Sequence, residues 1–429
     1  MSSLYRTIVA VVASARAGRT VSALTVCCML ALAACHAGEA AKSAAGARGT
    51  DSAALASDSG RAGASAAGAS AAPAGQAPPA AQGALTASPA VRGLYVNRFA
   101  AQSTKRMRKL IDVADQTEIN GFVIDMKDEF GLNYVTANAD FARNAGTMGK
   151  VRELKPLLDT LKAHDILAIA RIVVFKDSVT ARVHPEWTIR RTDGAIWRDH
   201  KGLAWVNPYH RELWDYNIGV AEELVKLGFG EVQFDYIRFP EPYKSLPQQV
   251  FPEHRDQSKP DAIAEFLRTA NMRLDKLGVR TTADIFGLVT TVRGPLEVGQ
   301  EWEKVAPVTD VLLPMVYPSH YPRGAFGVAR PNADPYKIIL AAISKANERD
   351  RKLGITSAEH VRPWLQAFTL GQPAYGPQQI TEQKRAVYDS GYDGWVLWHP
   401  GSLYEPFLPA LEKTLVSRKK AVAASMTGG

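Results

Sequence analysis

The run Gln233-Phe234-Asp235-Tyr236-Ile237-Arg238-Phe239-Pro240 carries a carboxylate and a guanidinium into an otherwise apolar stretch that a proline then ends. Burying a charge is costly unless it is paired or used, so such a pair at the end of a strand marks either an internal ion network or a reactive site. Comparable groups recur elsewhere: Asp125, Lys127, Asp128 and Glu129 in one cluster, then Arg171, Asp284, Tyr317, Gln366 and the pair Trp398-His399. Two carboxyl groups flanking one bond are what glycosidic cleavage requires, because its oxocarbenium-like transition state needs a negative group at the anomeric carbon and a proton donor at the leaving oxygen. Asp235 and Asp284 are the expected pair, with Asp125 as an alternative. An ion network among Asp125, Arg171, Asp235 and Asp284 is the structural alternative.

Positioning such groups together requires a scaffold that brings strand ends to one face. Between Val91 and Glu412 eight short β-rich runs alternate with helix-compatible stretches, among them 296–305 and a terminal one near 404–415. The expected strands are 93–96, 121–126, 167–174, 231–237, 280–285, 310–316, 361–368 and 394–398. This spacing predicts a (β/α)8 TIM barrel over residues 91–415, whose carboxyl-terminal strand ends build the site. Asn97-Arg98-Phe99 follows the first strand where a dinucleotide-binding open sheet would carry a Gly-rich loop. Period-two alternation points Asp125 and Lys127 inward on one strand, and Gln233 with Asp235 on another. Lys127, Arg171, Tyr317, Gln366 and Trp398 are the expected substrate contacts. Trp197 and Trp205, in a polar and aromatic loop, are expected to stack sugar faces.

The ends of the chain read differently. Arg6, Arg16 and Arg19 precede an apolar stretch closed by Leu32-Ala33-Ala34-Cys35, the order of a lipoprotein signal over residues 1–34, with Cys35 as the lipidated first residue of the mature chain. Residues 35–90 are Ala, Gly, Ser and Pro-rich and read as a disordered tether; residues 416–429 read as a flexible basic tail. This predicts a cell-envelope protein, outer-membrane anchored and facing the periplasm or the cell surface. Residues 1–90 carry six basic and three acidic side chains and the last seventeen residues four basic ones, which leaves the rest of this +8 chain at a net +1. A nucleic-acid partner is therefore not expected. Neither a His-Glu-x-x-His helix nor a Gly-x-Ser-x-Gly elbow occurs, and no metal or cofactor is expected.

The segments 232–240, 121–128 (Gly-Phe-Val-Ile-Asp-Met-Lys-Asp) and 313–318 (Leu-Pro-Met-Val-Tyr-Pro) together resemble the bacterial "putative glycosyl hydrolase domain" family, barrels similar to the α-amylase-like glycosidases. The resemblance covers about residues 91–412. It implies that Asp235, at the end of strand four, is the nucleophile and Asp284, at the end of strand five, the proton donor, with Arg238 orienting or neutralising charge nearby. Strand five has Asp where α-amylase-like enzymes typically carry Glu. The implied activity is hydrolysis of a polysaccharide or oligosaccharide; a carbohydrate-binding envelope lipoprotein without turnover is the alternative.

Overall fold

A computed structural model describes residues 90–254 and 256–412. The leader, Cys35, the tether up to residue 89 and the basic tail lie outside these described residues. Eight parallel strands close on themselves: β1 (Arg92–Val96), β2 (Gly121–Asp128), β3 (Leu167–Val173), β4 (Glu231–Asp235), β5 (Arg280–Phe286), β6 (Val311–Met315), β7 (Trp364–Gln366) and β8 (Trp395–Trp398). Each pairs with its neighbours in chain order, and β1 pairs with both β2 and β8. The expected TIM barrel is therefore the observed fold, and its closure leaves the barrel without an open edge. A two-residue antiparallel return, Gly131–Leu132, adds to β2.

The main helices cover the outside: α1 (Thr104–Asp115), α2 (Leu154–Ala163), α3 (Arg211–Leu227), α4 (Lys259–Asp275), α5 (Trp302–Val305), α6 (Pro335–Lys352) and α7 (Pro377–Asp389). Local chemistry sets their ends. The Ser258 side chain caps α4 by accepting from Asp261 N, and Gly228, with φ of 124°, closes α3. The outward residues of each strand then meet an apolar helix face, as where the ring of Phe234 packs edge-on to Phe266 of α4 at 5.3 Å.

Three expected elements shorten for reasons visible in the sequence. β7 begins only at Trp364, because Pro363 lacks the N–H a ladder needs, and Val361 survives as an isolated bridge to Leu312. The helix expected over 296–305 is one turn, Trp302–Val305, since Gly299 stands in the left-handed region at φ of 84°. The terminal helix expected near 404–415 is a 3-10 stretch, Glu405–Ala410, which contains Pro406 and Pro409.

One departure changes the site. The β2–β3 ladder pairs Asp125 with Arg171 but Lys127 with Ile172, so Met126 is an inserted bulge residue. An extra residue reverses the alternation beyond it. Lys127, expected to point inward with Asp125, instead lies against the helix layer: its Nζ is 2.7 Å from Asp177 Oδ2, donates to Val173 O at 2.6 Å and sits over the ring of Tyr216 in α3.

Candidate active site

The carboxyl-terminal mouth of the barrel divides into a charged half and an aromatic half. The charged half is built on β2 to β5 around Arg171. Its Nη1 donates to Asp125 Oδ1 at 2.5 Å, its Nη2 donates to Asp235 Oδ2, and its Nε also reaches Asp235 Oδ2 at 3.1 Å. Asp284 Oδ2 lies 3.7 Å from the same Nε. Three carboxylates thus face one guanidinium, and all four side chains are buried. Burial works against the Arg171 charge, but Asp125 and Asp235 hold the guanidinium protonated well above its ordinary range. Asp284 moves the other way for a carboxyl: burial, and then the charge of Asp235, push its pKa well above the ordinary value.

Neutral donors fix the orientation of these acids. Trp364 Nε1 and Gln233 Nε2 donate to Asp284 Oδ1 at 2.6 and 2.8 Å, while its Oδ2 has no hydrogen-bond partner among the described residues. Tyr95 donates its hydroxyl to Asp125 Oδ2 at 2.5 Å, and burial, followed by Asp125, keeps that phenol protonated. Asp284, with one oxygen held and the other carrying no bond, is arranged as a proton-bearing group. Asp235, bonded to a guanidinium, is arranged as an anionic one.

The aromatic half lies on β1 and β6 to β8. Trp398 stacks on Tyr95 at 6.0 Å, with Tyr317 at 5.8 Å and Phe368 edge-on at 5.1 Å. Such a wall beside the acids suits the apolar C–H face of a ring bearing hydroxyls on its edges. At the ends of β4 to β6, Asp235, Tyr236, Arg238, Asp284, Phe286, Gln300 and Met315 line one narrow recess.

The structure brings Asp125, Arg171, Asp235, Asp284, Tyr317 and Trp398 together at this mouth. Others it does not. Trp197 and Trp205 are each 1% exposed and offer no open face for a sugar. Their indole N–H groups are spent on Pro247 O and Asp199 Oδ2, because the loop that carries them folds back on itself through isolated antiparallel bridges. Gln366 is committed internally, accepting from Ser319 N and donating to Asn332 Oδ1 and Phe368 O. Arg238 lines the recess, pairs with Glu241 at 3.0 Å and stacks over Phe286, but the guanidinium that spans Asp125 and Asp235 is Arg171. His399, beside Trp398, caps its own loop by accepting from Gly401 N, and burial lowers its pKa to about 4. Tyr95, Phe368 and Trp364 are not among the site residues expected from sequence; the parity of β1, which turns Tyr95 inward, is the signal that marks the first of them.

Comparison with known proteins bears on this site. A model of the family described as "putative glycosyl hydrolase domain" matches residues 93–404, which is the barrel from its first strand to the loop after its last. The chain belongs to this family. No curated protein matches it. Solved structures similar to this glycosyl hydrolase domain include a hypothetical protein from Ruminiclostridium thermocellum ATCC 27405, 34% identical over 44% of this chain and 96% of that one, with a TM-score of 0.41. The PgaB (BpsB) glycoside hydrolase domain from Bordetella bronchiseptica is 13% identical over 76% of this chain and 100% of that one, with a TM-score of 0.54. Alpha-L-fucosidase isoenzyme 2 from Paenibacillus thiaminolyticus is 13% identical over 78% of this chain and 50% of that one, with a TM-score of 0.52. At such identities the last two share the fold alone with this glycosyl hydrolase domain.

Proposed function

We propose that this glycosyl hydrolase domain cleaves a polysaccharide or oligosaccharide with retention of configuration, Asp235 acting as nucleophile and Asp284 as acid and then base. The observation that carries this reading is the approach of both carboxylates to one atom. Asp235 Oδ2 and Asp284 Oδ2 lie 3.1 and 3.7 Å from Arg171 Nε. The two oxygens are therefore less than about 7 Å apart, which admits the retaining spacing of about 5–5.5 Å and supports this reading. Asp235 attacks the anomeric carbon while the Asp284 proton passes to the leaving oxygen as the glycosidic bond breaks. Asp284, now ionised, then takes a proton from the water that hydrolyses the glycosyl ester. Arg171 and Tyr95 hold the charged half in register, and the Trp398 wall carries the sugar.

The test is a glycan panel followed by both product release and binding, with the anomeric form of any product read by NMR. Release with retained configuration, lost in Asp235→Asn, is expected; binding without release from every member, or an inverted product, overturns the reading.

We further propose lipid attachment at Cys35 and an outer-membrane location facing the periplasm or the cell surface. The small residues directly before Cys35 support it, and a barrel sequence close to neutral offers little other membrane affinity. Cys35→Ala should release the protein to the soluble fraction, and unchanged membrane fractionation would refute the anchor.

A further inference from the structure

Tyr236 leaves β4 with φ of 51°, the left-handed region that side chains other than glycine rarely occupy. Its N–H donates to the preceding side chain, Asp235 Oδ1, at 2.5 Å, and the positive φ sets how the Tyr236 ring stands to the peptide plane that carries this N–H. Arg171 holds the other oxygen, so the carboxylate is gripped at both ends. The ring of Tyr236 is itself enclosed. Lys176 Nζ lies 4.8 Å from its centroid, the Arg238 guanidinium carbon 5.1 Å, and Trp205 meets it edge-on at 5.8 Å. Lys176, Arg238 and Trp205 are all buried, so the cage is rigid and cation–π attraction acts there with little screening by water.

We propose that Tyr236 is a positioning residue for Asp235: the cage of Lys176, Arg238 and Trp205 anchors its ring, and the left-handed turn joins that ring rigidly to the peptide plane whose N–H holds the carboxylate. Strained backbone persists where surrounding structure over-determines it, and it clusters at functional sites. Buried Trp205 and Arg238 thereby act from behind the site, through Tyr236, rather than on the sugar.

The proposal rests on Asp235 being the working carboxylate, yet it is tested without a substrate. A residue that only packs is hurt most by Gly, which removes the most surface and loosens the chain. A residue that holds a left-handed turn is hurt more by Ala, because Gly adopts positive φ without penalty. Tyr236→Phe, Tyr236→Gly and Tyr236→Ala in the full chain, labelled with aspartate carrying carbon-13 at Cγ, allow the Asp235 carboxyl to be titrated by NMR, with Asp235→Asn assigning its signal. The Asp235 midpoint is expected to rise by about one pH unit in Tyr236→Ala, by about half that in Tyr236→Gly, and to stay at the parent value in Tyr236→Phe. A larger shift in Gly than in Ala, or no shift in either, overturns the proposal. Should the Ala variant fail to fold, an unshifted midpoint in folded Tyr236→Gly overturns it alone. An active Asp235→Asn would instead refute the hydrolytic reading and leave this titration unaffected.

Discussion

The two ends of the barrel use the same residue types in different proportions. At the amino-terminal end, buried Glu231 meets two cations: Arg362 Nη1 at 2.5 Å and Arg280 Nη2 at 2.9 Å, with Glu359 completing the Arg280 pairing at 2.8 Å. At the carboxyl-terminal mouth, Asp125, Asp235 and Asp284 share the single guanidinium of Arg171. Two acids against two cations need no proton to balance. Three acids against one do, and Asp284 is the group on which burial and Asp235 concentrate that demand. The lower cluster can therefore serve the fold, while the upper one leaves a proton where a glycosidic oxygen could take it.

The comparison breaks most sharply at Asp235. Asp235→Asn is expected to lower turnover at least about 10⁴-fold, about 5 kcal/mol on the barrier, with the melting temperature unchanged or higher because one excess negative charge is gone. Retained turnover on a confirmed substrate would move the assignment to Asp125 or Glu129. Glu231→Gln should do the reverse, leaving buried Arg362 without its counter-charge and costing about 3–5 kcal/mol by denaturant unfolding, while turnover of the folded fraction holds. A stable Glu231→Gln protein with impaired turnover would contradict the division between the two ends.

Asp284 sharpens the contrast through pH. Its raised folded pKa means that the native state binds the proton more tightly than the unfolded chain. The associated stability is fully present below the unfolded carboxylate value of about 3.9 and is lost as pH rises through the folded value. Turnover should fall over the same alkaline-side range, as the acid loses its proton. Asp284→Asn should abolish that limb, lower turnover about 10²-fold on natural linkages, or roughly 3 kcal/mol, and spare substrates with activated leaving groups. A pH profile unchanged in Asp284→Asn would place the acid elsewhere. The smallest effect expected is at the aromatic wall: Trp398→Ala should weaken glycan binding severalfold, about 1 kcal/mol beyond lost area, as read by calorimetry. Unaltered affinity with a lowered melting temperature would make Trp398 a core residue.

Eight runs of apolar alternation, each followed by a helical pattern, determined the barrel, and with it the strand ends at which Asp125, Arg171, Asp235 and Asp284 stand. That much is local: periodicity assigns a face, and in a closed parallel barrel the strand direction assigns an end. Only the tertiary structure decided the rest. The bulge at Met126 reverses Lys127 because a one-residue slip is set by pairing with β3, which no stretch of β2 encodes alone. Trp197 and Trp205 look open in a polar loop until that loop folds on itself and buries them. Arg171 meets all three acids of the network, and Arg238 turns to Glu241, because a long guanidinium reaches across strands to whichever carboxylates the register delivers. Sequence period sets direction, whereas register, burial and the pairing of long side chains arise from contacts between segments tens to hundreds of residues apart.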